Sequence, residues 1–247
     1  MKQNTLYVAF EAPATLSQAM DRFQAVITAE PETSHVKELA AIIDPFIDTA
    51  MKVFFRGPLD AAGHHGRGAA LVFSAMKVIH RAATSLTGRL VKNTTVEEQH
   101  ALAAYFETLR VYQGDAQWVV YPLDPAMAEK ASLVFRAFTG SDEELPVVLE
   151  VMHAINDGAV TYFMDNITAC LKLGRINRGL VAAARVTVCK AAASATDRGL
   201  PAMEADARRA VGDYFDNLIR HVTNEREHGS ARRQSSQDGT HQHPDSG

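Results

Sequence analysis

Apolar residues return every three or four positions along most of this chain, and the returns are bracketed by residues that start and stop helices, a pattern that points to packed helices. Leu16, Ala19, Met20, Phe23 and Ile27 form one stripe behind Thr15 as a cap. A second region, from about Ser34, carries Leu39, Ile43, Phe46, Ala50 and Phe54. Within it, Asp44-Pro45 is the pair expected of an N-cap and a first helical residue, because proline has no amide hydrogen to leave unpaired there. A kink or restart is expected at Pro45, a break at Arg56-Gly57-Pro58, and a further helix over 67–91.

Caps continue down the chain. Thr95-Val96-Glu97-Glu98 reads as a capping box, in which the threonine oxygen accepts a first-turn amide while Glu98 reaches back. Its helix carries Leu102, Phe106, Leu109 and Tyr112 or Gln113 and is expected to stop at Gly114. Asp124-Pro125 opens another, with Gly140 as its stop. Ser141-Asp142-Glu143-Glu144 reads as a second capping box at once, which predicts an antiparallel helical hairpin. A long helical run is expected over 143–173, with Gly158 marking a bend or a close helix crossing, followed by helices over 177–196 and 201–224, the last opened by Pro201.

The predicted fold is therefore all-α, a multi-helix bundle of about eight helices forming a single domain over 1–223. Two short segments resist the helical reading. Residues 5–10 and 117–121, which contain Leu6-Tyr7-Val8-Ala9-Phe10 and Trp118-Val119-Val120-Tyr121, are rich in aromatic and β-branched residues and suit extended backbone. Their pairing as a two-stranded ribbon is the less favoured arrangement. Residues 224–247 contain no Val, Ile, Leu, Met or aromatic residue, which predicts a disordered tail. Cys170 and Cys189 are too few for a disulfide framework and sit among apolar helical neighbours, where buried, inert thiols are expected. The first ten residues do not read as an export signal and no long uncharged apolar run exists, so a cytoplasmic protein without membrane insertion is expected.

Charge is sorted by segment. No Asp or Glu occurs over 61–96 or over 166–196, yet each window carries five Lys or Arg, while 97–150 holds ten carboxylates against Arg110, Lys130 and Arg136. The total of −4 conceals this, and fields act locally. On a helix, Arg67, Lys77, Arg81, Arg89 and Lys92 fall within an arc of about 120°, opposite Val72, Ile79, Leu86 and Leu90. Lys172, Arg175, Arg178, Arg185 and Lys190 span about 140°, away from Leu173, Leu180, Ala184 and Ala191. Each face reads either as a solvated helix side neutralised by the chain's own acids or as a surface for an acidic partner or for phosphate. Neither face carries aromatics that would stack bases, and no helix-turn-helix, zinc-finger or RNA-binding signature is present.

Two local constellations remain. Gly63, His64, His65, Gly66 and Gly68, with Arg67 among them, make a glycine-rich stretch entering a helix, where backbone amides can receive an anion. The stretch lacks the lysine and Ser/Thr of a nucleotide loop, and a flexible connector is the simpler reading. Glu-x-x-His occurs at Glu97/His100, Glu150/His153 and Glu225/His228. In pairs, that spacing builds the carboxylate-bridged metal sites of helical bundles, with Glu129, Glu150 and His153 as the candidate ligands here. The remaining ligands are missing, so caps and solvated pairs are expected and no metal or cofactor is implied. No serine elbow, H-E-x-x-H or paired C-x-x-C occurs, and no catalytic residue is singled out.

These observations favour binding over catalysis: a regulatory or adaptor protein, compatible with a homodimer, whose basic faces dock an acidic protein. Two alternatives stand beside it. One is a sequence-nonspecific nucleic-acid-associated protein contacting backbone phosphate through Arg81, Arg89, Arg178 and Arg185. The other is a helical-bundle enzyme binding a metal or small ligand in a cavity between helices.

Overall fold

The computed structural model describes residues 6–222. The expected multi-helix architecture is present, joined by a small antiparallel sheet. In chain order the elements are β1 (Leu6–Glu11), α1 (Ala14–Ala29), α2 (Val36–Met51), α3 (Gly57–Ala61), α4 (Gly66–Leu90) and α5 (Val96–Thr108). They continue with β2 (Arg110–Gln113), β3 (Ala116–Pro122), α6 (Pro125–Ala137), α7 (Leu145–Val160), α8 (Asn166–Ala169), α9 (Arg175–Ser194), α10 (Ala205–Asp216) and β4 (Ile219–His221). Three wide π-helical turns join helices end to end: Lys52–Arg56 between α2 and α3, Thr161–Asp165 between α7 and α8, and Ala195–Gly199 after α9.

The sheet, in the order β2-β3-β1-β4, is the largest departure from expectation. The two extended segments do pair, with Val8 opposite Tyr121 and Phe10 opposite Val119. Arg110–Gln113, expected as the end of a helix, is a strand hydrogen-bonded to β3. Helix α5 ends at Thr108, and Gly114, whose φ is +56°, serves as the turn of a two-residue hairpin and not as a helix stop. Residues 219–221, expected as helix, pair with β1, placing Val8 opposite Ile219. Val8, Ala9, Val119 and Tyr121 have no exposed surface and form the centre of the core.

Helix boundaries follow their caps closely. Thr95 and Glu98 make the complete capping box, the Thr95 N–H donating to the Glu98 carboxylate at 2.7 Å and the Glu98 N–H to the Thr95 hydroxyl at 3.2 Å. Asp124 accepts from the amides of Ala126 and Met127. Gly140 takes φ +89° with the Ala205 carbonyl where a Cβ would stand, so the stop is also a close approach. Four expectations need correction. Helix α2 is continuous through Pro45 and does not restart there: the carbonyl that loses its partner belongs to exposed Ala41, where water can serve it, while Leu39, Ile42, Phe46 and Ile47 hold the helix by burial. The chain does not break at Arg56-Gly57-Pro58 but stays helical through a π turn. The second capping box does not open a helix at Ser141; Glu144 accepts from the amide and hydroxyl of Thr139 as well as from Ser141, and α7 starts after it. Pro201 lies in a turn, and α10 begins at Ala205. The expected tail, 224–247, lies outside the described residues.

At Gly158 the close approach is to the sheet and not to another helix. The Tyr121 ring lies where its Cβ would be, 2.6 Å from Cε2, and the Tyr121 hydroxyl donates to the Ile155 carbonyl at 2.9 Å. Helix propensity alone favours Gly158→Ala by about 1 kcal/mol. Packing against the rigid, buried Tyr121 ring opposes it by about 1–3 kcal/mol. The net expectation is a lower urea midpoint for Gly158→Ala; a raised midpoint would show that the ring yields freely.

Glu98 does more than cap its own helix. Its carboxylate also accepts from the Lys172 backbone N–H, tying the start of α5 to the loop before α9. Burial alone would raise the Glu98 pKa, but the amides of Thr95 and Lys172, the Thr95 hydroxyl and the Lys172 charge together hold it below its ordinary value. A carboxylate whose folded pKa is depressed stabilises the fold above its unfolded pKa, and that contribution is lost as pH falls through the folded value. Glu98→Gln is expected to cost about 1–2 kcal/mol near neutrality. In urea titrations at about pH 7 and about pH 3, the gap between variant and wild type should shrink at the lower pH; a gap independent of pH would remove the charge from this account.

Candidate functional site

Helix α4 packs Val72, Ile79, Leu86 and Leu90 into the core, as its spacing predicted, and turns Arg67, Lys77, Arg81 and Arg89 to solvent, with Lys92 exposed just past its end. Among the described residues, none of these five cations has a carboxylate within salt-bridge distance. The second basic stretch differs. Lys172 pairs with Glu97 at 2.5 Å and Arg185 with Asp165 at 2.8 Å, and in each case the partner carboxylate raises the cation's pKa. Arg175, Arg178 and Lys190 are exposed and have no carboxylate partner among the described residues. The α9 face is thus partly neutralised from within, and the α4 face is not.

The α4 cations extend into a groove that the sequence did not reveal. Between α4 and the π turn after α2 lies a surface depression of about 790 Å³, with Lys52, Arg56, Lys77 and Arg81 among its walls. Its carboxylates, Asp48 and Asp60, are each engaged by a histidine: Asp48 by His80 at 3.4 Å and Asp60 by His64. Four cations therefore meet two carboxylates that already have partners. Met51 and Met76 supply apolar surface in the same groove. Lys52 and Arg56 fall outside the acid-free window over 61–96, because Asp48 and Asp60 flank them in the sequence. The available signal was their own four-residue spacing, which puts both on one helical side.

The glycine-rich loop holds its shape for structural reasons. Gly63, His64 and Gly66 all take positive φ, at +82°, +59° and +87°. His64 binds Asp60 and stacks on Phe73, with ring centroids 6.0 Å apart, while His65 is exposed. Gly68 faces inward, where a Cβ would stand 2.5 Å from the Gly199 carbonyl, so this glycine permits α4 to cross the 195–199 turn. The arrangement is a braced connector, with its most constrained glycine pointing away from solvent.

The carboxylate and imidazole candidates do not converge. Glu150 pairs with Lys130 at 2.5 Å, His153 with Asp197 at 2.6 Å, and Glu129 is exposed on α6. Glu97 is taken by Lys172, and the His100 ring donates to the Pro31 carbonyl at 2.8 Å. Among the described residues, no group of three His, Cys, Asp or Glu could hold a metal ion. Glu225/His228 lies outside the described residues. Both cysteines are free and half-buried, less enclosed than expected, and burial pushes the Cys170 thiol up.

Other buried polar groups serve the fold. Arg110 in β2 reaches Asp21, Glu107 and the Tyr112 hydroxyl, and Gln117 at 3.2 Å. Gln99 accepts from the His35 N–H at 2.7 Å and donates to Ser34 and Thr94. No described helix is long and apolar enough to cross a membrane. Compared with protein-family models, with curated proteins and with solved structures, the chain matches none.

Proposed function

We propose that the protein is a regulatory or adaptor protein that docks an acidic protein segment in the groove formed by Lys52, Arg56, Lys77 and Arg81. The observation that supports this reading is the groove's unbalanced charge: its cations lack carboxylate partners among the described residues, while Asp48 and Asp60 are occupied by His80 and His64. Unpaired like charges along one wall repel each other, and an acidic ligand relieves that repulsion while gaining attraction. The methionines favour a protein ligand over nucleic acid. Met51 and Met76 offer adaptable apolar contact to side chains interspersed among acids, and the groove is lined by no Phe, Tyr or Trp on which a base could stack, its one imidazole, His80, being engaged by Asp48.

Poly-L-glutamate and a mixed-sequence RNA of similar charge, each fluorescently labelled, test this reading by anisotropy with the full chain at low and moderate salt. Polyglutamate should bind more tightly than RNA, and binding should weaken with salt. Lys77→Glu/Arg81→Glu should weaken polyglutamate binding by about tenfold or more. Arg185→Glu, on the face where Asp165 already provides a counter-charge, should change it by less than about threefold. Absence of polyglutamate binding at low salt, or equal effects of the two charge reversals, would overturn the groove as the docking site. RNA binding tighter than polyglutamate would replace it with the phosphate reading.

A further inference from the structure

Behind the α4 face lies an apolar pocket of about 190 Å³, partly open to solvent and walled by α2, α4, α5, α7, α8, α9 and the first two π turns. Cores normally leave few voids larger than a water molecule. An engineered apolar cavity of about 150 Å³ stays dry and takes up benzene. This space is larger and almost wholly apolar. Its polar contributors are Thr87, Thr94, Thr168 and Asn156; each threonine spends its hydroxyl donor inside the protein, and Asn156 spends one of its two N–H donors there. Thr87 donates to the Ala83 carbonyl, Thr94 to the Val91 carbonyl and Thr168 to the Met164 carbonyl, all at 2.9 Å, and the Asn156 amide donates to Thr196 at 2.9 Å. Water entering would find few of the two to four partners it needs.

Two further observations distinguish this space from a packing defect. Phe54 and Phe163, which sit in two different π turns, both line it, and π turns inside helices recur at functional sites. Phe163 packs edge-on against Phe46 and Tyr121, with centroids 5.2 and 5.3 Å apart, giving one end an aromatic floor. The wall formed by α8 and α9 is thin. Residues 166–169 include none that is buried, and of the twenty residues of α9 only Ala192 is. Little packing must part for a ligand to enter there. Residues 224–247 carry no Val, Ile, Leu, Met or aromatic side chain, so the chain's own end is not a suitable occupant.

We propose that this cavity is a binding site for an uncharged apolar small molecule about the size of naphthalene, held by shape and aromatic contact with no hydrogen bond or counter-charge. A charged head group would enter without a partner, at a cost that excludes it. The site shares Met51 with the docking groove but stands whether or not an acidic partner binds there.

Naphthalene itself is the probe, followed by saturation-transfer NMR and by thermal unfolding of the full chain, with 2-naphthoate as the charged control. The expected result is saturable binding, one naphthalene per chain, with a rise in Tm. 2-Naphthoate should bind at least about tenfold more weakly. Ala83→Phe, which fills the space from α4, should weaken naphthalene binding by about tenfold or more. Ala184→Leu fills it from the thinly packed wall of α9 and decides the matter if the first variant does not fold. No saturable naphthalene binding, undiminished binding in a folded filled variant, or equal binding of 2-naphthoate would each overturn the proposal. So would binding of one naphthalene per two chains accompanied by dimerisation, which would assign the space to a contact between copies.

Discussion

Helix α4 must bury one side and cannot neutralise the other. Its apolar residues, Val72, Ile79, Leu86 and Leu90, are all buried, so the hydrophobic effect fixes its rotation about its own axis. The segment 61–96 contains no Asp or Glu, so no intrahelical pair can quench its cations. The acids that neighbouring elements bring to this side, Asp48 and Asp60, pair with His80 and His64 and with none of these cations among the described residues. The cationic exterior is thus a consequence of how the apolar side packs.

The second basic stretch shows what the alternative looks like. Lys172 and Arg185 find Glu97 and Asp165, and the same corner of the molecule is fastened by the Glu98 carboxylate, shared between the first turn of α5 and the Lys172 amide. Thr94 and Leu171, beside that junction, both line the apolar cavity. Charge therefore serves cohesion around α9, where apolar burial is poor, and remains unspent along α4, where apolar burial is ample. The two halves of one electrostatic pattern have different physical roles. Met51 lies on both the groove and the cavity, so the two spaces share a wall.

Much of the helical framework can be read from the residues because its determinants are local. Thr95 with Glu98, Asp124 with Pro125, and Gly140 each act within a few positions of the boundary they set. The sheet is harder to read, since β1, β3 and β4 come from residues 6–11, 116–122 and 219–221, and no short window contains a strand together with its non-local partner. The β2-β3 hairpin was the readable exception: Gly114-Asp115 between two runs of suitable residues is a hairpin signal that the helical stripe ending near Gln113 obscured. The π turns leave no mark, because their residues keep the spacing of an ordinary helix. Among site residues, the α4 cations follow from periodicity, whereas Lys52 and Arg56 reach the groove only through the π turn after α2. The cavity is invisible in sequence, since Phe54, Phe163 and Ala184 look like any other core positions until their partners prove to be absent.

The most direct test of the α4 account is a residue-resolved map of where an acidic chain touches the surface. In ¹H–¹⁵N NMR spectra recorded while the full protein is titrated with poly-L-glutamate, amide shifts should concentrate at Lys52, Arg56, Lys77 and Arg81 and fade as salt is added. Shifts centred instead on Lys172 and Arg185, or spread evenly over every exposed lysine and arginine, would contradict a cationic face left open by the packing of α4.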